Sequence, residues 1–391
     1  MKVKTILFCC LLLGINAIAQ KVNFVDNNWQ TARARAEAEN KLLFVDAYTD
    51  WCYWCKVMDK KTFADTSVVT LMNENFVSLK LEMERDYGVK VAMKYRVSGF
   101  PSFLVFAPDG SLLYKTSGYM EVAAFKLFLN KAIAKESLET RHGVSKEVEL
   151  GFPQFYSNAF GKSSERKKPD ATTVQQYLDG EKDLLSEVNF SVIGKFAHLL
   201  SQMQTAVFVS NVSQYQKLFG KTEVEAVLDR IGGAMIAAAE KNNNNNEFEA
   251  AIDFFKKHKS DFTTKSEAFM RIEFNKNIGK WSEFAGLVDK LGEVEKIDAG
   301  TVNSWAWAVY EKCSDKVVID KAIAWSADAI KQKADYPILD TYAALLYKIG
   351  RKHDAEKAAI IAIETGKKEG VETKETAEMM KKYGSKAPNI K

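Results

Sequence analysis

The stretch Trp51-Cys52-Tyr53-Trp54-Cys55-Lys56 follows a compact apolar run, Lys41-Leu-Leu-Phe-Val-Asp-Ala-Tyr48, and that junction constrains the fold more than any other feature of the chain. The run has the length and content of a buried strand, and a helix is expected after it, with Val57, Met58, Phe63 and Ala64 near helical spacing. Three chemistries suit two cysteines separated by two residues. As a structural staple the pair closes a very small ring, which removes little entropy from the unfolded chain. As half of a zinc site it needs further ligands, and the four histidines, at 142, 198, 258 and 353, are scattered without ligand spacing. Each reads better as a surface or capping residue, so metal is none of the expected cargo and a metallochaperone is the minor alternative. A redox pair is the leading reading.

The chemistry of a redox pair can be read from its position. A thiolate attacks a disulfide and a thiol does not, so the nucleophile needs a group that stabilises its anion. Cys52, at or just before a helix start, faces unpaired backbone N–H groups and the positive end of the helix dipole. Cys55, one turn later, is placed to break the mixed disulfide and is expected to be the more buried sulfur. Asp46 is a carboxylate inside an apolar strand, where burial is costly unless the side chain turns to solvent at the strand end.

Further along, Phe76 to Met83 reads as a strand, Val89 to Tyr95 as a polar helix, and Ser102 to Phe106 and Leu112 to Lys115 as strands flanking a turn at Pro108-Asp109-Gly110. Val122 to Ala134 closes the series as an amphipathic helix. With the cysteines at the first strand–helix junction, with Asp46, Lys80, Phe100-Pro101 before the hairpin and Gly118 after it, residues 22–135 resemble a thioredoxin-fold domain. The Trp-Cys-x-Trp-Cys-Lys form is similar to exported bacterial thioredoxin-like proteins and to the soluble reductase domain of the membrane thiol-disulfide interchange protein. It departs from thioredoxin itself, which has Gly-Pro between the cysteines.

The resemblance implies an α/β thioredoxin fold in which Asp46, behind the pair, relays the proton of Cys55 through water with a raised pKa, with Lys80 interacting with it. It also implies a cis peptide bond before Pro101, which sets Phe100 and its backbone beside the sulfurs for pairing with a substrate chain. Trp51, Tyr53 and Trp54 form an apolar contact surface in this reading, although Trp51 and Trp54 read equally well as packing residues. Lys56 supplies a flexible nearby charge. Strongly oxidising relatives carry a histidine between the cysteines, and its absence here leans the expected direction towards reductase or isomerase. No cofactor is implied beyond the Cys52–Cys55 pair.

The first residues set the compartment. Lys2 and Lys4, the apolar run Ile6 to Leu13 and Ala17-Ile-Ala19 read as a signal peptide over residues 1–19, cleaved after Ala19. The apolar run is short for a membrane span, so a retained anchor is the weaker reading, and Phe8-Cys9 is a poor context for a lipoprotein cysteine. Export to a periplasm is expected. Of the five cysteines, cleavage leaves Cys52, Cys55 and Cys313, too few for a disulfide framework. Cys313 reads as a buried small apolar residue, its alternative being an intermolecular disulfide.

Residues 136–171, with Gly151-Phe-Pro153 and the basic stretch Lys162 to Pro169, read as a linker or irregular connection. A helical region is expected over 172–300, where Asn242 to Asn246 forms an exposed loop. Tetratricopeptide-like helical repeats are expected over 301–391. There Asn303 to Tyr310 echoes Asp340 to Tyr347, Ala322 to Trp325 echoes Ala355 to Ala358, and small residues at Ala306, Ala343 and Ala358 permit close helix packing. A weaker unit spans Phe274 to Leu291, with Ile278-Gly-Lys-Trp281 as its turn. The composition is globular, 47% hydrophobic and 27% charged with a formal net charge of +4, and has no charge block that would call for nucleic acid. The expected partners are protein thiols and disulfides, a membrane or periplasmic electron donor, and a protein or peptide ligand of the repeats. A repeat-based binding scaffold with a non-catalytic N-terminal domain is the alternative from another functional class.

Overall fold

The computed structural model describes residues 21–384 except 137 and 140. The expected signal segment 1–19, with Cys9 and Cys10, and the last residues of the expected repeats lie outside the described residues. The chain divides into two compact units, the first ending at Ile231 and the second beginning at Gly232.

The first unit starts with five strands, β1 (Phe24–Asp26), β2 (Leu42–Tyr48), β3 (Phe76–Glu82), β4 (Ser102–Phe106) and β5 (Leu112–Ser117), in the sheet order β1-β3-β2-β4-β5. β1, β3 and β2 run parallel, whereas β4 and β5 are antiparallel additions on the other side of β2. β2 is therefore central and covered on both faces, which is why its sequence is a continuous apolar run instead of an alternating one. The accompanying helices are α1 (Trp29–Ala38), α2 (Tyr53–Lys60), α3 (Thr66–Asn75), α4 (Asp86–Tyr95) and α5 (Val122–Ile133). Phe44 of β2 faces a core of Met58, Phe63, Phe103 and Phe125, with ring centroids 5.7 Å from Phe103 and 5.8 Å from Phe125. Such aromatic pairs add about 0.5–1.5 kcal/mol each beyond the area they bury. This is the thioredoxin-type domain that the resemblance implies.

One local outcome differs from expectation, and one helix forms where no element is expected. α2 stops at Lys60, and Phe63 enters the core from the following turn, not from the helix. The run Thr66-Ser-Val-Val-Thr70 carries strand-type residues but forms helix α3. Asp65 caps it by accepting from Ser67 N and Val68 N, and Val68, Val69 and Met72 bury one face. At the hairpin turn, Gly110 adopts φ 91° and its N–H donates to the Ala107 carbonyl.

The same unit continues through α6 (Gln154–Ser157), α7 (Ala171–Gly180), α8 (Glu187–Phe196), α9 (Gln202–Ser210), α10 (Val212–Phe219) and the first half of α11 (Lys221–Lys241). Between α5 and α7 the described residues are irregular apart from α6, yet they are packed into the unit: Tyr156 is buried and its hydroxyl donates to the Met93 carbonyl at 2.7 Å. Charged groups complete the attachment. Glu223 of α11 pairs with Arg96, at the end of α4, and with Lys115 of β5, each at 2.6 Å, while buried Lys94 of α4 pairs with Glu187 of α8 at 2.5 Å. Against burial, which opposes ionisation, Lys115 and Arg96 hold the Glu223 carboxyl well below the usual range. These ties place the unit boundary at residue 231, inside the expected helical region.

The second unit is helical: α12 (Asn245–His258), α13 (Thr264–Asn277), α14 (Trp281–Val294), α15 (Ala299–Lys312), α16 (Lys316–Gln332), α17 (Tyr336–Ile349), α18 (Lys352–Glu369) and α19 (Lys374–Lys382). The echoed segments fall on corresponding helices, α15 with α17 and α16 with α18. α15 packs on α16 and α17, and α17 packs on α18. Ala306, Ala343 and Ala358 are buried in the shared core. Gly279 and Gly350 take positive φ in the turns before α14 and α18. The asparagine tract links α11 to α12, with Asn244 capping the second helix. Cys313 is buried at the end of α15, and burial pushes its thiol pKa up. Among the described residues no helix is long and apolar enough to cross a membrane.

Candidate redox site

Cys52 and Cys55 form a disulfide, with Cα atoms 5.3 Å apart. Cys52 is the N-cap of α2, and its Sγ accepts from the Cys55 N–H at 3.0 Å, one of the donors that the first turn of a helix leaves unpaired. Unpaired N–H groups aimed at this sulfur are the local field that lowers a thiol pKa when the pair is reduced. The expected asymmetry of burial is absent, since both cysteines are 4% exposed. In the closed ring each sulfur is held against the other, so the reactive thiol is not distinguished by exposure.

Asp46 follows from strand alternation. Phe44 and Asp46 lie on the same face of β2, and that face looks onto α2 through Phe44 and Met58. Asp46 is 1% exposed, its Oδ1 has no hydrogen-bond partner, and its Oδ2 lies 3.8 Å from Lys80 Nζ. The solvent-facing alternative is thereby excluded. Burial pushes the Asp46 carboxyl up to about 7, Lys80 opposes that rise and Asp59 adds to it. Lys80 stands opposite Asp46 in the β2–β3 register and also pairs with Asp59 of α2. Asp59 is four residues after Cys55 on α2, hence on the same helix face, so the Lys80 bridge ties the face of α2 that carries Cys55 to Asp46 on β2. Sequence reasoning missed Asp59, although its spacing from Cys55 was a usable signal.

The aromatic residues surround the pair without being buried. Trp51, Tyr53 and Trp54 are 59%, 68% and 51% exposed, which removes the packing alternative for both tryptophans. The Trp51 ring meets Phe100 edge to face at 6.0 Å, and Trp54 lies 5.2 Å from Tyr119. The Phe100–Pro101 peptide is cis, and the Pro101 carbonyl accepts from Gly118 N at 2.8 Å. Trp51 is oriented by a contact unforeseen from sequence: its indole N–H donates to Glu84 at 3.0 Å, and Glu84 in turn accepts from Arg166 at 2.7 Å. Lys56 is exposed and makes no ion pair among the described residues. Nor do the described residues contain a group of three or more His, Cys, Asp or Glu side chains arranged to hold a metal.

Residues 16–134 match the family model Thioredox_DsbH, described as a protein of unknown function, DUF255. The N-terminal domain belongs to this DsbD/DsbH-like family. As a thioredoxin-like domain it is 31% identical over 143 residues to the thiol:disulfide interchange protein DsbD of Colwellia psychrerythraea and 30% identical over 103 residues to that of Pseudoalteromonas atlantica. These alignments take in 31% and 25% of this chain but only 23% and 17% of the relatives' own lengths. Among solved structures, the thioredoxin-like domain is 36% identical to a candidate disulphide isomerase from Bacteroides thetaiotaomicron, over 31% of this chain and 98% of that one, with a TM-score of 0.28. It is 20% identical to the C-terminal domain of Neisseria meningitidis DsbD in the oxidised form, over 28% of this chain and 98% of that one, with a TM-score of 0.25.

Proposed function

We propose that this protein is an exported, periplasmic thiol-disulfide oxidoreductase that reduces or isomerises protein disulfides through Cys52 and Cys55. The observation that carries the reading is the closed Cys52–Cys55 pair at the start of α2, with a buried carboxyl at Asp46, whose Oδ1 has no hydrogen-bond partner, on the strand that α2 covers. In the reduced protein the Cys52 thiolate attacks one sulfur of a substrate disulfide. A Cys52–substrate bond forms, the substrate S–S bond breaks, and the other substrate sulfur leaves as a thiolate that takes a proton from solvent. Cys55 then gives its proton to Asp46, whose pKa of about 7 suits an acceptor at neutral pH, and attacks Cys52 Sγ. The Cys52–Cys55 disulfide closes and the second substrate thiolate is released. Two electrons pass from the protein to the substrate, and an external dithiol donor in the membrane or periplasm restores the reduced pair.

Trp51, Tyr53, Trp54 and Phe100 offer an exposed apolar surface beside the sulfurs for a substrate chain, and the absence of histidine at positions 53 and 54 favours the reductive direction. Export rests on the sequence of residues 1–19. The helical second unit serves to hold a protein or peptide partner, in keeping with its paired-helix construction. Reduction of insulin disulfides by the purified protein with a dithiol donor tests the reading. Wild type accelerates the reaction, and the Cys52→Ser/Cys55→Ser double variant does not. Equal rates for both proteins leave the binding-scaffold alternative in its place.

A further inference from the structure

A cationic cavity lies in the first unit, away from Cys52 and Cys55. A cavity of about 510 Å³, within the range typical of small-molecule sites, is lined by Arg96, Arg166, Lys167, Lys168, Lys195 and Arg230, and no aspartate or glutamate lines it. The carboxylates that act on its arginines, and Asp170 next to Pro169, are already engaged. Glu223 holds Arg96, Glu84 holds Arg166, and Asp170 caps α7 through Thr173 N. Asp229 and Glu223 both act on Arg230, which also donates to the Gly194 carbonyl at 2.7 Å. Lys167, Lys168 and Lys195 have no carboxylate partner among the described residues.

Lys195 shows the imbalance most clearly. It projects from α8, only partly exposed, with its ammonium 4.4 Å from the Phe160 ring centroid. Burial first, then the charges of Arg166 and Arg230, push its pKa down to about 8. His198, on the same wall, is likewise held below its ordinary value by burial and by Arg230, Lys168 and Lys195. The lining cations come from four separate chain segments and repel one another, an arrangement that costs stability while no anion offsets it. Ala159, Phe196 and Leu199 supply apolar wall between them.

We propose that this cavity binds a small polyanion with two or more oxyanion charges, of the phosphate-ester or polycarboxylate class. The unpaired lysines fix the sign and the minimum charge of the ligand, the apolar wall accommodates its organic part, and the volume limits its size. The cavity is lined by neither cysteine of the redox pair.

Calorimetric titration of the full chain with pyrophosphate, citrate and acetate tests this. Pyrophosphate or citrate should bind one per chain with Kd below about 1 mM, a free energy of roughly −4 kcal/mol or better. The tighter of the two names the class, and acetate should bind at least ~10-fold more weakly, because it offers one charge where several cations converge. Lys195→Gln and the exposed Lys168→Gln should each weaken binding several-fold while leaving disulfide exchange unchanged, and Lys195→Gln should not lower Tm because it relieves repulsion. No heat of binding for either polyanion, equal binding of acetate, or full affinity in both folded variants overturns the proposal.

Discussion

Lys80 Nζ stands 3.8 Å from Asp46 Oδ2, beyond hydrogen-bond range, while its closer partner is Asp59 on α2. The lysine is shared between two acids, and the buried one receives the weaker share. Burial, opposed only by this shared lysine, leaves Asp46 protonated over much of the range in which an ordinary aspartate is charged. A carboxyl in that condition can accept and return a proton near neutral pH.

Asp46→Asn separates function from stability. Loss of the proton acceptor should slow closure of the Cys52–Cys55 disulfide by roughly 10²-fold, the lower end for general acid–base catalysis, measured by stopped-flow oxidation of the reduced protein. Stability should move the other way. The folded pKa of about 7 exceeds an unfolded value of about 3.9, so the wild type is penalised progressively as pH rises from the unfolded pKa through the folded one. The gap corresponds to about 4 kcal/mol at most, and urea unfolding at pH 8 should show the variant gaining part of it relative to wild type, with no gain at pH 4.

Asp59 raises the Asp46 pKa and draws Lys80 towards α2. Asp59→Asn should therefore lower the Asp46 pKa, whereas Lys80→Met should raise it. Carbon-detected NMR titration of Asp46 reads both shifts directly. The acid limb of the exchange rate should follow, towards lower pH in the first variant and higher pH in the second.

Much of this site was legible because its members lie on one strand–helix junction. The cysteines, Asp46 and the run around it are contiguous, and the period of a strand with the start of a helix is enough to set their relation. Glu84, Arg166 and Tyr119 are not legible in the sequence because separate segments bring them to the site in space. β1 and α1 were missed for a different reason. β1 is three residues long, and α1 buries Trp29 with Ala32 and Ala36, a face too small in apolar contrast to stand out from Arg and Glu. In α3 the β-branched run Val68-Val69-Thr70 is a weak helix signal, and the Asp65 cap with tertiary burial decides the structure. The unit boundary at 231 was hidden because Glu223 reads in sequence as an ordinary surface acid of a helix.

Glu223→Gln leaves Arg96 and Lys115 facing each other without their shared carboxylate. Removing one member of a buried ionic group costs about 3–5 kcal/mol, and denaturant unfolding should show a loss of that order. Because the folded pKa of Glu223 lies below the unfolded one, its contribution in the wild type is present above an unfolded pKa of about 4.3 and is lost as pH falls towards the folded value. The difference between variant and wild type should accordingly shrink in acid.

Trp54 and Tyr53 are exposed beside the disulfide, with rings 5.3 Å apart. Substituting each by alanine should raise KM for a protein disulfide by roughly 10-fold with little change in kcat, the signature of lost substrate binding. A small dithiol-exchange substrate that cannot span the aromatic surface should be unaffected.

The most direct measurement is trapping of the reaction intermediate. Cys55→Ser, reduced and mixed with a protein disulfide substrate, should accumulate a mixed disulfide that peptide mass spectrometry locates on Cys52, while Cys52→Ser accumulates none. Adducts on Cys55 instead, or none in either variant with the substrate in excess, would contradict the account.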